Sequence, residues 1–156
     1  EDKKRASDTY YYRRGQDLIR KPLEDAEILL LKAGNSLDRK EFEIAQNFLT
    51  AALEKAGGDP DLQARILYSM QLMQFEQERY GDVLETESRI SALRPRVEFW
   101  ILPHALVKQG QAFARTGRQA EARKAFERAA EYEEFDFELS LKNRIEDELE
   151  KLDNKE

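Results

Sequence analysis

The stretch PHALVKQGQAFARTGRQAEARKAFERAAEYEE, residues 103–134, decides the fold of this chain. Its first half carries apolar and small side chains at helical spacing, Thr116-Gly117 interrupts the pattern, and the second half resumes it. Pro103 suits the start of a helix because its ring presets the helical φ and its missing N–H is not needed there. The stretch therefore predicts two helices joined by a tight turn. Its landmark small and aromatic residues are Gly110, Phe113, Ala122, Phe126 and Ala129.

Two earlier stretches show weaker copies of the same pattern. Residues 31–53 share Gly34-Asn35, Phe42, Ala45 and Ala52-Leu53, with a turn that reads one residue shorter. Residues 64–95 share Tyr80, Val83, Ile90 and Pro95, but Gln71 stands where a small residue is expected. The corresponding residues Ala45, Val83 and Ala122 are 38 and 39 positions apart. This spacing predicts three helix pairs in tandem.

The small–aromatic–small–aromatic–small series of residues 103–134 resembles the tetratricopeptide repeat (TPR) family. The chain departs from the family in its longer period and in Glu134, which stands where a proline is expected. The resemblance implies an all-α fold, a right-handed superhelical array of antiparallel helix pairs. It divides the chain into an N-terminal helix or arm (1–21), three TPR-like pairs (22–134) and a C-terminal solvating helix (135–156), within one continuous domain.

Helix and breaker signals alternate along the rest of the chain, so about eight helices and no strand are expected. Asp8 is a candidate cap for a helix to Lys21, and Pro22 for the start of the next. Asp59 is the expected N-cap and Pro60 the first residue of a central helix. Apolar residues four, and once three, positions apart predict the last helix: Phe137, Leu141, Ile145, Leu149 and Leu152.

The net charge of −6 disfavours a nucleic-acid binder, and the sequence holds no apolar run long enough to enter a membrane. The charge is uneven, with seven bases and four acids in residues 1–21 against four bases and eleven acids in residues 131–156. Such ends either keep the protein in solution or join copies into a homo-oligomer. The start at Glu1 predicts a processed chain or a piece of a longer one, so the compartment, cytoplasmic or extracytoplasmic, stays undetermined.

A catalytic or metal site has little basis in this sequence. His104 is the only histidine and there is no cysteine, which rules out thiolate chemistry. Gly57-Gly58 lacks the lysine and hydroxyl residue that follow the glycines of a phosphate-binding loop. We therefore expect no catalytic residues, no metal, no cofactor and no enzyme activity.

The TPR resemblance implies that the first helices of the pairs line a concave groove for a peptide or partner helix. One variant of the family grips a C-terminal carboxylate; Lys32, Asn35 and Lys108 resemble part of that clamp, whereas His104 and Ser69 depart from it. The alternative function is a structural module that self-assembles through charged ends or apolar faces. The groove positions carried over residue by residue are Asn35, Arg39, Tyr68, Leu72, Phe75, His104, Lys108, Gln111 and Arg115.

The central helix is apolar on two sides. Leu62, Ile66, Met70 and Met73 form one stripe, and Tyr68, Leu72 and Phe75 lie nearly opposite. Either neighbouring helices cover both sides, or the second side is an aromatic groove that a partner, or the folded-back helix of Tyr10-Tyr11-Tyr12, would fill. The apolar run of residues 99–103 is expected to be a wedge between repeats rather than the lip of a binding site.

Overall fold

The computed structural model describes residues 10–16 and 23–154 of the 156-residue chain. Within these residues the backbone forms eight α-helices and no strand, which confirms the all-α prediction. The first, α1, covers residues 10–16; the remainder of the expected helix from Asp8 to Lys21 lies outside the described residues. The others are α2 (Asp25–Asp38), α3 (Phe42–Lys55), α4 (Pro60–Glu76), α5 (Tyr80–Leu93), α6 (Ile101–Arg115), α7 (Gln119–Ala130) and α8 (Glu138–Asp153).

The helix boundaries largely follow the predicted breakers. The Asp59 carboxylate accepts hydrogen bonds from the backbone N–H groups of Asp61 and Leu62, at 3.0 and 3.1 Å, and Pro60 begins α4 as expected. One boundary was wrong: α6 begins at Ile101, and Pro103 lies within its first turn. This earlier start is possible because the N–H groups of the first turn need no partner within the helix.

Three turns of identical form link α2 to α3, α4 to α5 and α6 to α7. Each has one residue in the left-handed region, Lys40 (φ 57°), Glu78 (φ 58°) or Gly117 (φ 77°). In each turn the N–H of that residue donates a hydrogen bond to the carbonyl of the residue three positions before it. The N–H of the following residue donates to the carbonyl five positions before itself, in the preceding helix. The three residues are 38 and 39 positions apart, so the turns mark an internal repeat with the spacing predicted for Ala45, Val83 and Ala122.

The turns also correct the alignment of the first repeat. Lys40 and Gly117 correspond, so Ala33, and not Gly34, occupies the place of Gly110 seven residues before the turn. The sequence had indicated that the first turn is one residue shorter than the third, but the two turns have the same length. In the same alignment of the repeats, Asp38 and not Arg39 corresponds to Arg115. The register expected for the second repeat holds, with Gln71 in the place of Gly110.

Each helix from α2 to α8 packs against the next one along the chain, and α2, α4, α6 and α8 also contact one another in succession. Two hydrophobic clusters result, one from α2 to Ala105 and one from Leu106 to Leu152, and they meet in α6. In the second cluster the ring of the fully buried Phe126 lies directly against Gly110. Helices α6 and α7 therefore approach each other closely at this point.

Neighbours cover the first stripe of α4 completely and its second side in part. Leu62, Ile66, Met70 and Met73 are buried, whereas Tyr68, Leu72 and Phe75 are partly buried. Gln71 is wholly buried and its amide donates hydrogen bonds to the carbonyls of Val83 in α5 and Ala105 in α6, at 3.3 and 3.2 Å. Gln71 thereby ties three helices together, which explains a large polar residue where a small one was expected.

Candidate functional site

Aromatic side chains from four parts of the chain meet on one face of α4 and α6. We call this group the aromatic cluster; its members around His104 are Tyr68 of α4, Trp100, Phe135 and Phe137. The His104 ring centroid lies 5.3 Å from that of Trp100 and 6.3 Å from that of Tyr68. All of these pairs are near perpendicular, the edge-to-face geometry that aromatic rings favour.

The position of Trp100 depends on a cap contributed by α4. One carboxylate oxygen of Asp61 accepts hydrogen bonds from the backbone N–H groups of Val97 and Glu98, at 2.8 and 2.9 Å. This fixes the segment that precedes α6. The following residues Ile101, Leu102 and Pro103 are buried, as expected for a wedge between helix pairs, and Trp100 is turned towards the aromatic cluster.

The titratable side chains of the aromatic cluster are neutral at pH 7. Burial, together with the nearby cations Arg144 and Lys108, lowers the pKa of His104 to about 4. Burial raises the pKa of Tyr68 to about 12. The buried Nε2 atom of His104 has no hydrogen-bond partner among the described residues. This surface is therefore apolar, and His104 is not the cationic group that a carboxylate clamp would need.

A network of four charged residues borders the aromatic cluster. Arg65 Nη1 lies 3.2 Å from Glu27 Oε1, and Arg65 Nε lies 3.7 Å from Glu98 Oε1. The second arginine, Arg14 of α1, reaches the same oxygen atoms at 3.5 and 3.6 Å. The other carboxylate oxygen of Glu98 accepts a 2.7 Å hydrogen bond from the indole N–H of Trp100.

The burial of this network makes its charge balance important. The Glu98 side chain is only 5% exposed, and those of Glu27 and Arg65 are 19% and 18% exposed. Burial acts to raise the pKa of Glu27, but the Glu24 N–H and the Arg65 guanidinium outweigh it and lower the pKa overall. Two carboxylates and two guanidinium groups thus balance each other in a poorly solvated place.

The N-terminal helix folds back through one of its three tyrosines, which packs on Trp100 and Phe137. The Tyr10 ring centroid lies 6.0 Å from that of Trp100 and 5.4 Å from that of Phe137. Tyr11 and Tyr12 stay exposed, at 66% and 68%. Burial and the adjacent Glu98 raise the pKa of Tyr10. Helix α1 therefore covers one end of the aromatic cluster through a single ring.

Two open cavities lie on either side of the aromatic cluster. The first, of about 330 Å³, lies between α2 and α4 and is bordered by Gly34, Asn35, Asp38, Arg65, Tyr68 and Trp100, among others. The second, of about 440 Å³, lies between α4, α6 and α8 and is bordered by Phe75, Lys108, Gln111, Arg115 and Glu148, among others. Six of the nine groove positions expected from the resemblance therefore border one of these two cavities, and His104 lies in the aromatic cluster between them.

The remaining two positions have different surroundings. Leu72 is partly buried and borders neither cavity. Arg39 lies in the turn after α2, where its guanidinium pairs with Glu41 at 3.0 Å. The one-residue shift in the first repeat explains this, because Asp38 takes the place that was expected for Arg39.

The carboxylate-clamp interpretation receives no support from the lysines. The Lys108 ammonium lies 4.4 Å above the centroid of the Phe75 ring and donates a 2.9 Å hydrogen bond to Gln111. Burial, and then Arg144, lower the pKa of Lys108. The Lys32 ammonium lies 5.9 Å from the Phe48 ring centroid on α3. The two lysines are thus occupied by different aromatic rings and are not gathered around one site.

The charged network was missed from the sequence. Arg65 stands three residues before Tyr68, on the side of α4 that was considered apolar. A charge within an apolar helix face needs a partner, and a charged partner near Arg65 could have been predicted from this signal alone. The partners themselves come from α1, from α2 and from the segment before α6, which spacing within one helix could not reveal.

In comparison with known proteins, no protein family, curated protein or solved structure matches the chain. Within residues 10–16 and 23–154, no group of three acidic or histidine side chains is placed to hold a metal ion. No helix in this part of the chain has the length and apolarity needed to cross a bilayer. The fold and the site together define an all-α protein with an aromatic, charge-bordered surface across its α2, α4 and α6 helices.

Proposed function

We propose that this chain is a TPR-like array of three helix pairs, α2–α3, α4–α5 and α6–α7, with α8 as its solvating cap. In this proposal the faces of α2, α4 and α6 line a groove, and the protein acts as a non-catalytic scaffold that binds a partner's helix or peptide there. The three identical turns, 38 and 39 residues apart, support the repeat. The succession of contacts among α2, α4, α6 and α8 supports the stacking of the pairs.

One observation carries the binding function: this face already holds a helix. Tyr10 packs on Trp100 and Phe137, and Arg14 joins the charged network, so a short helix fits the surface in shape and in charge. Next to it the first cavity stays open, with the apolar side chain of Leu31 at its border 53% exposed. Such a combination of an aromatic anchor site, buried charges and exposed apolar surface is typical of helix-in-groove recognition.

Site-specific photo-crosslinking in the native cells tests this proposal. A photoreactive amino acid at Asn35, which is exposed and borders the first cavity, is expected to capture a distinct partner protein. The matched control is the same amino acid at Lys124, which is exposed on α7 away from both cavities. Equal capture from both positions would contradict the proposal. Capture of a second copy of this chain alone would replace it with the self-assembling alternative.

A further inference from the structure

Helix α1 contacts the surface through two side chains, those of Tyr10 and Arg14. Tyr10 and Arg14 are four residues apart, so they lie on the same side of α1. Tyr10 contacts the aromatic cluster and Arg14 contacts the carboxylates of Glu27 and Glu98. Tyr11 and Tyr12 point elsewhere and are exposed. The surface therefore recognises an aromatic ring and a cation at a spacing of one helical turn.

The cation that suits this surface is an arginine. One terminal nitrogen of Arg14 approaches Glu27 and the other approaches Glu98, so a single planar guanidinium bridges two carboxylates held by different parts of the chain. Without it, Arg65 would be the one guanidinium left between two largely buried acids. An uncompensated buried carboxylate is costly, so the site selects a positively charged occupant.

Helix α1 has the features of a replaceable occupant. Its ion pairs with Glu27 and Glu98 are loose, at 3.5 and 3.6 Å. A further ion pair, from Arg13 to Asp136, is short, at 2.5 Å, but the Arg13 side chain is 56% exposed, so water screens it. Gly15 lies within the helix and weakens it. A longer helix could make the same two contacts and also enter the neighbouring cavity beside Arg65 and Trp100, which α1 leaves open.

We propose that the partner of this surface is a protein helix that carries an aromatic residue and, four positions later, an arginine, and that α1 is the intramolecular substitute which this helix displaces. The inference rests on the proposed scaffold function and specifies its ligand. As part of the same chain, α1 competes at an effective concentration on the order of millimolar, so it lowers the apparent affinity for the partner.

The test uses the full chain and a labelled peptide with the sequence of residues 8–21. A lactam between positions 11 and 15 of the peptide, made by Tyr11→Glu and Gly15→Lys, holds it as a helix; both positions are suitable because Tyr11 is exposed and Gly15 has open space beside it. Fluorescence anisotropy measures its binding. The chain variant Tyr10→Ala/Arg14→Ala is expected to bind the peptide roughly tenfold or more tightly than the unaltered chain, because the internal competitor is lost.

Two further chain variants make the test directional. Gly15→Ala strengthens α1, since no atom lies within 4 Å of the added methyl group, and is expected to weaken peptide binding about two- to fivefold. Tyr12→Ala removes an exposed ring and is expected to leave the affinity unchanged. A peptide with Tyr10→Ala/Arg14→Ala is expected not to bind. Circular dichroism of each variant checks that the fold is retained.

The outcomes separate this inference from the proposed function. Equal affinity of the unaltered chain and Tyr10→Ala/Arg14→Ala, or no binding to either, would overturn the inference, while a partner captured from Asn35 would leave the scaffold function standing. A dimer of the unaltered chain that Tyr10→Ala/Arg14→Ala lacks would also overturn it, because α1 would then be exchanged between copies. Capture of a partner whose crosslinked helix lacks the aromatic–arginine pair would overturn the ligand assignment alone.

Discussion

The ring of Phe126 occupies the space in which a side chain of residue 110 would begin. A β-carbon on Gly110 would lie 2.6 Å from Phe126 Cε1, closer than non-bonded carbon atoms approach one another. Phe126 is fully buried, and the close packing of a protein interior opposes a shift of its ring. The contact between α6 and α7 thus requires the absence of a side chain at this one position.

Gly110→Ala is therefore expected to destabilise the protein by about 1–3 kcal/mol, because overpacking outweighs the gain in helix propensity. Gly34→Ala in α2 is the matched control, since nothing lies within 4 Å of its added methyl group. It is expected to stabilise by roughly 0.5–1 kcal/mol. Urea unfolding measures both values, and a Gly110→Ala protein as stable as Gly34→Ala would show that the helices separate at little cost.

At the left-handed position of the three repeated turns, introducing a glycine and removing one are expected to change stability in opposite directions. Lys40→Gly and Glu78→Gly each place glycine at a positive φ and are expected to stabilise by up to ~1 kcal/mol. Gly117→Ala makes the reverse change and is expected to destabilise by about 1 kcal/mol. Thermal unfolding of the three variants checks the signs. Destabilisation by both glycine substitutions would contradict the common turn geometry.

Removal of one charge from the buried network is expected to cost stability. Glu98→Gln leaves Arg14 and Arg65 facing Glu27 alone, and the loss is expected to be about 1–3 kcal/mol in urea unfolding. Glu85→Gln on the exposed side of α5 is the control and is expected to stay within about 0.5 kcal/mol of the unaltered protein. Similar effects of the two substitutions would mean that solvent screens the network.

The stability of the protein is expected to fall on mild acidification because of His104. Its pKa is lowered from 6.5 to about 4 in the fold, so between these values the unfolded chain binds the proton more readily. The contribution of neutral His104 to the free energy of unfolding is therefore fully present above pH 6.5 and falls by roughly 1–2 kcal/mol towards pH 5. The cations Arg144 and Lys108 add to the cost of protonating the buried His104 ring. Glu27, whose pKa is lowered, loses its contribution only at lower pH.

His104→Phe removes this titration and retains an aromatic ring within the aromatic cluster. Urea unfolding at pH 7 and pH 5 is expected to show a smaller difference in the free energy of unfolding for His104→Phe than for the unaltered protein. An equal difference would assign the acid sensitivity to other groups.

The sequence predicted the elements of this fold better than the arrangement of its surface. Helix caps and breakers such as Asp59-Pro60 and Thr116-Gly117 act locally, and the structure has helix ends beside both. Five of the seven groove positions in the second and third repeats border the cavities, because a correct register carries over along a helix. Arg39 was wrong by one residue, because a single glycine, Gly34, was aligned with Gly110 without knowledge of the turn.

The charged network and the docking of Tyr10 could not be predicted in the same way. Glu27, Arg65 and Glu98 are brought together by contacts between helices and by the bonds from Asp61 to the segment before α6. These contacts join residues as far apart as 37 and 38 positions in the sequence, and they have no period. The one sequence signal for them was the requirement that a buried charge has a partner, and it was not used.

The chain contains a single tryptophan, and it is Trp100. Its indole N–H is bonded to Glu98, and the ring of Tyr10 in α1 lies edge-on to it. Tryptophan emission from this protein therefore originates where Tyr10 of α1 docks, so departure of α1 is expected to shift the emission wavelength and reduce energy transfer from Tyr10. The fluorescence of Trp100 therefore reports whether α1 covers the surface, so displacement of α1 is observable in real time without a label.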